Sequence, residues 1–270
     1  MLANGDVEEM RVVLDWTATF VPLARARSAL LLPAGESGIF FTETVDTFGL
    51  YQGGEYGCDS ASNRPAGYPQ WLEGPGSEGG WVRYDFGGNG FAEAGLMALD
   101  YYWHTQDLVN SARYVPFATS YVDFYASHYR NRTADGRLML WPTQVLETFW
   151  CEWPGFENCC VNDTPNVAAL TALVTGLLAL PPASGLLTPQ QRQQYSALAA
   201  MLPLPALDAD GATYAAAQVV SSGGHNSEGP WLYATHVSAG VVCCLVGAVP
   251  PRLPSPHPYP PSPVPCSHSA

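Results

Sequence analysis

Thr164-Pro165-Asn166-Val167-Ala168-Ala169-Leu170-Thr171-Ala172-Leu173-Val174-Thr175-Gly176-Leu177-Leu178 is the stretch that decides the fold class. Its proline sits in a first turn, where a helix loses nothing by a missing N–H. Val167, Leu170, Leu173, Val174, Leu177 and Leu178 then recur at three- and four-residue steps, which predicts an amphipathic helix. Thr188-Pro189 opens another helix the same way, running through Leu202. Upstream, Asn89 is placed to cap a helix carrying Phe91, Leu96, Leu99 and Tyr102. A further helix runs from about Leu108 to Tyr129, with Pro116 expected to kink or restart it. The first helix covers Asp6 to Leu32, with Val12, Val13, Trp16, Phe20 and Leu23 as its apolar positions. Between the helices lie Ile39-Phe40-Phe41, a turn at Asp135-Gly136 and an extended Leu138-Met139-Leu140-Trp141. Two irregular stretches, Glu43 to Asn89 and Pro142 to Pro165, are dense in aromatic residues, and loops of that length are usually functional. The rhythm is helix, loop, helix pair, loop, helix pair, loop: a mainly α chain. No βαβ alternation and no nucleotide-type glycine loop is present.

The whole sequence has 270 residues, 47% of them hydrophobic and only 13% charged, so most of it can bury a core. Net charge is −13, and all eleven basic residues are arginine. That balance argues against nucleic acid and against anionic membranes as partners. The run from Val237 to Val249 is too short to span a bilayer, and no charged segment followed by an apolar stretch opens the chain. Seven cysteines show no CxxC pair and no Cys/His spacing for zinc, so neither a metal site nor a cofactor is expected. Two adjacent pairs and an odd total do not read as a disulfide framework. Asn131-Arg132-Thr133 and Asn162-Asp163-Thr164 are glycosylation sequons, a pattern frequent by chance, and the compartment stays open.

Chemistry must come from carboxylates set among aromatic rings, because no nucleophile elbow or Cys/His arrangement is found. Glu147 follows Val145-Leu146 and precedes Phe149-Trp150, an apolar setting that raises a carboxyl pKa toward the range of a general acid. The residues alone favour the plainer reading, a capping or paired carboxylate at a loop end. Glu43 and Glu228 either bind sugar hydroxyls or are buried carboxylates bonded to backbone amides. His225 and Asn226 stand beside Glu228, with Trp231 close behind, and Trp141 and Trp150 flank Glu147. Polar groups rimmed by rings are what sugar recognition uses: rings stack on C–H faces while amides and carboxylates read hydroxyls. His104 and His128 fall within helical pattern and read as structural.

Gly38-Ile39-Phe40-Phe41-Thr42-Glu43-Thr44, Ala98-Leu99-Asp100-Tyr101-Tyr102, Phe124-Tyr125 with His128-Tyr129, Trp141-Pro142 through Glu147-Thr148, and Asn226-Ser227-Glu228 through His236 together resemble the six-hairpin glycosidases. The nearest branch is that of the inverting α-L-fucosidases and their uncharacterised relatives. This resemblance implies an incomplete (α/α)6 toroid of helical hairpins with long aromatic-rich loops over residues 1–236. It also implies hydrolysis of O-glycosyl bonds in an oligosaccharide or polysaccharide. The branch places its general acid five residues after a proline, a spacing that Pro142 and Glu147 reproduce. The aspartate base and the water-orienting asparagines of the branch have no matching positions here, so this chain is expected to be inactive as it stands. The alternative is a non-catalytic carbohydrate-binding or interaction protein using the same loops. A polysaccharide lyase ranks third, because an acidic chain suits a uronate poorly. Beyond His236 the family pattern stops, and residues 237–270 are expected to be a disordered, proline-rich tail. Val237-Ser238 can be encoded by a common splice-donor start, so the tail is expected to be either translated intron in a misjoined gene model or a genuine disordered tail.

Overall fold

The computed structural model describes residues 2–32, 34–41, 48, 91–146, 148–149, 159–220 and 227–236. The proline-rich tail and most of the first aromatic loop lie outside the described residues. The described chain is mainly helical: α1 (Val7–Leu31), α2 (Phe91–Thr105), α3 (Leu108–His128), α4 (Thr164–Ala179), α5 (Pro189–Met201) and a final turn α6 (Tyr233–His236). Two short strands, β1 (Val161–Asp163) and β2 (Ala217–Val219), pair antiparallel with Val161 opposite Val219 and Asp163 opposite Ala217.

Helix α4 is the hub, packing against α2, α3, α5 and α6. Its sequence dictates that place, since Val167, Leu170, Leu173, Val174 and Leu177 are all buried, as are Ala168 and Ala169. Two glycines set the close approach of α2 and α4. A methyl group on Gly95 would meet the Leu173 side chain at 2.8 Å, and one on Gly176 would meet Leu99 at 2.8 Å. Asp163 caps the helix by accepting from Asn166 N, and Pro165 occupies the first turn. Helix α5 begins with a full capping box between Thr188 and Gln191, and buries only Tyr195 and Leu198.

Helices α2 and α3 form a hairpin. Asp107 caps α3, accepting from Asn110 N at 3.1 Å, and also takes the Tyr101 hydroxyl at 2.9 Å. Pro116 lies inside α3 without interrupting it. The carbonyl deprived of its partner belongs to Ala112, one turn earlier on the exposed side, so the loss falls where water can compensate. The expected restart is therefore absent.

Helix α1 spans the expected residues but buries a different stripe. Met10, Leu14, Thr17, Val21, Ala24 and Ser28 face the interior, whereas Val12 is 70% exposed and Leu23 38%. Phe20, shared by both stripes, is buried, and Trp16 packs edge-on against it. Its polar positions bind α3: Arg25 donates to Ser120 Oγ at 2.6 Å, and Tyr114 donates to Asp15 at 2.8 Å.

The strand-free segment 35–41 is strapped along α3. Ile39 N donates to Ser120 O, Ser37 and Ser127 exchange two hydrogen bonds, and His128 Nδ1 lies 2.8 Å from Glu36 Oε2. That pairing gives His128 the structural role read from the sequence, and His104 likewise bonds its own helix at Asp100 O. The irregular reading of residues 142–165 needs amendment, because β1 and a tight turn both form within it.

Candidate functional site

The extended segment after α3 runs Leu138 to Trp141 and then turns through a cis bond between Trp141 and Pro142. Thr143 and Cys160 exchange backbone hydrogen bonds of 3.2 and 2.7 Å, fixing this segment against the residues that enter β1. Just beyond, Val145 and Phe149 pair across a tight turn. Val145 N donates to Phe149 O, while Phe149 N and Thr148 N both donate to Val145 O. Leu146 takes a positive φ of 48°, a strained setting for a branched side chain. Gln144, wholly buried, supports it by donating its side-chain amide to Leu146 O at 2.8 Å. Val145, Cys160 and Ala217 form a small apolar cluster beneath, with Phe149 against it.

Glu147 stands at the middle of this turn in sequence and lies outside the described residues, but Leu146 before it and Thr148 after it are both buried. Glu43, Trp150, His225 and Asn226 also lie outside the described residues. Three predicted site residues are described. Glu228 is half-buried, and Thr148 Oγ1 donates to its Oε2 at 3.4 Å, so the 148 and 228 segments meet. Trp141 is 39% exposed and Trp231 41%. Trp231 belongs to a one-turn helix, Pro230–Leu232, that leads into α6.

A buried polar chain that sequence reasoning missed runs under the turn. Asp163 is fully buried; it accepts from Asn166 N at 2.9 Å, from Asn166 Nδ2 at 2.8 Å, and from the Thr143 hydroxyl. Tyr125 on α3 closes the chain by donating to Asn166 Oδ1. Burial pushes the Asp163 carboxyl up to about 6, with those hydrogen bonds opposing the rise. In the sequence Asp163 stands out only as the middle of a sequon. The usable signal was its position immediately before Thr-Pro, where a helix cap belongs.

No family model matches the chain, and no curated protein does. Among the described residues no group of three or more His, Cys, Asp or Glu is placed to hold a metal ion, and no helix is long and apolar enough to cross a membrane. A separate open cleft of about 260 Å³ is lined by Thr133, Asp135, Arg137, Asn162, Leu204 and Gln218 among others, and none of the predicted site residues lines it. One cysteine departs from expectation. Cys159 is disulfide-bonded, its partner falling outside the described residues, while its neighbour Cys160 is a buried free thiol.

Proposed function

We propose that this chain belongs to a glycoside hydrolase of the helical-toroid type, acting on O-glycosyl bonds with inversion and using Glu147 as general acid; no residue of this chain is assigned as the base, so by itself the chain is expected to be inactive. The observation that carries the reading is the pinned turn from Val145 to Phe149. A general acid must be held in one place, in surroundings that keep its carboxyl protonated near neutral pH. Here the chain on both sides of Glu147 is fixed by backbone pairing and by Gln144, above the apolar cluster of Val145, Cys160 and Ala217. In the inverting scheme this acid protonates the glycosidic oxygen as the bond breaks. A carboxylate on the other face, about 6.5–9.5 Å away, takes a proton from the attacking water. The partner of such a site is a neutral oligosaccharide or polysaccharide.

Glu147→Gln tests the assignment. Against glycosides with a poor leaving group, in an enzyme form that supplies the base carboxylate, kcat should fall about 10²–10⁴-fold, the usual worth of general acid catalysis. Glycosyl fluorides need no protonation on departure and should be hydrolysed by the variant nearly as fast as by the parent. Equal losses on both substrates would exclude the acid role. The second reading, a carbohydrate-binding protein without catalysis, is favoured by the exposure of Trp141 and Trp231. A parent chain whose tryptophan fluorescence responds to neutral oligosaccharides that it leaves uncleaved would establish that reading instead.

A further inference from the structure

We propose that Asn131 is a site of N-linked glycosylation, and that Asn162, in the other sequon, stays bare. The two sequons look alike in sequence, but the fold separates them. Asn131 is exposed, just after α3 and immediately before the loop closed by the bridge between Arg132 and Leu138. Its backbone oxygen holds Met139 N at 2.9 Å, and its side-chain amide takes no partner among the described residues. No described residue covers Asn131, so a bulky glycan is not excluded there by the described fold.

Asn162 is the opposite case. It is 1% exposed, its Oδ1 accepts from Leu140 N at 2.8 Å, and its Nδ2 donates to Gln218 Oε1 at 2.6 Å. A saccharide on that nitrogen would break the tie to Gln218 and push β1 from β2. Thr164 also precedes Pro165, whose ring restricts the threonine backbone and narrows the conformations that bring its hydroxyl to the asparagine. The disulfide at Cys159 supplies an independent sign of the compartment. Disulfides persist in oxidising compartments, the same route on which asparagines meet glycosyl donors.

In the transfer, Asn131 Nδ2 gives up one proton and forms a bond to C1 of an oligosaccharide. The bond from C1 to a polyprenyl diphosphate breaks, with the diphosphate leaving with the electron pair. No oxidant or reductant is involved. This assignment holds whether or not the chain hydrolyses glycosides.

Peptide mapping by mass spectrometry decides the matter, on the full chain purified from the cells that make it. Treatment with peptide N-glycosidase F in heavy-oxygen water should convert Asn131 to labelled aspartate, leaving Asn162 unlabelled. In a secreting eukaryotic host, with a cleavable leader fused ahead of Met1, the parent chain should show one enzyme-sensitive step in gel mobility. Asn131→Gln and Thr133→Ala should each abolish that step, and Asn162→Gln should keep it. Bare Asn131 in the mapped protein, or a step that survives Asn131→Gln, overturns the proposal.

Discussion

Gly38→Ala should lower the unfolding free energy by about 4 kcal/mol or more, the range reserved for substitutions the structure cannot absorb. Gly38 has φ +93°, and a methyl group there would stand 2.2 Å from Phe124 N, 2.3 Å from Ser120 O and 2.7 Å from Phe124 Cα. All three atoms are backbone of α3, so no side chain can swing aside. The strap must lift, and lifting it releases the Ile39 bond to Ser120, the paired serines and the Glu36–His128 contact. Gly136→Ala is the control. That residue has a similar φ of +82° with nothing within 4 Å, so its cost should be about 1 kcal/mol of backbone strain. Urea unfolding of both variants separates the steric part from the strain. Similar, small losses for the two would show that α3 and the strap are not in the contact described.

Asp163→Asn should change how stability depends on pH. Burial raises the folded carboxyl from 3.8 to about 6, so between these values the folded chain holds a proton that the unfolded chain has released. The contribution of the protonated form is complete below 3.8 and is lost as pH rises through about 6. A rise of that size corresponds to about 3 kcal/mol. Asparagine carries no such proton. The parent should therefore lose about 3 kcal/mol relative to the variant between pH 4 and pH 7, whatever fixed cost asparagine imposes on the contacts with Asn166 and Thr143. Parallel stability profiles for the two proteins would refute the raised carboxyl.

The helices were legible where the sequence punctuates them. Thr188-Pro189 became a capping box with proline in the first turn, and the apolar row of α4 is buried at five of its six predicted positions, Leu178 being half-buried. The start of α1 was equally plain, but its facing was not. Val12, Val13, Leu14, Trp16, Phe20, Val21 and Leu23 offer several apolar stripes, and the choice among them is made by α3 through Tyr114 and Ser120. Strands of three residues are too short to show a period of two, so β1 and β2 left no trace. The site was legible only as composition. Aromatic density and lone glutamates marked the loops, whereas the support under the turn is a set of buried polar residues: Thr143, Gln144, Asp163 and Asn166. Such a network has no periodicity, because each member is fixed by partners distant in the chain.

The tyrosines of the core have a consequence in the ultraviolet. Tyr101, Tyr114, Tyr121, Tyr125 and Tyr195 are among the largest fully buried side chains. Loss of solvent raises the phenols of Tyr101, Tyr125 and Tyr195 and, reinforced by the neighbouring Asp15, lifts that of Tyr114 to about 12. These rings stay colourless at the phenolate band through an alkaline range in which a free tyrosine has already ionised. Once the helices part, they ionise together, and the alkaline pH that drew the protons off holds the chain open. The phenolate absorbance thus acts as a built-in dye for the separation of α2, α3 and α5, with no label attached.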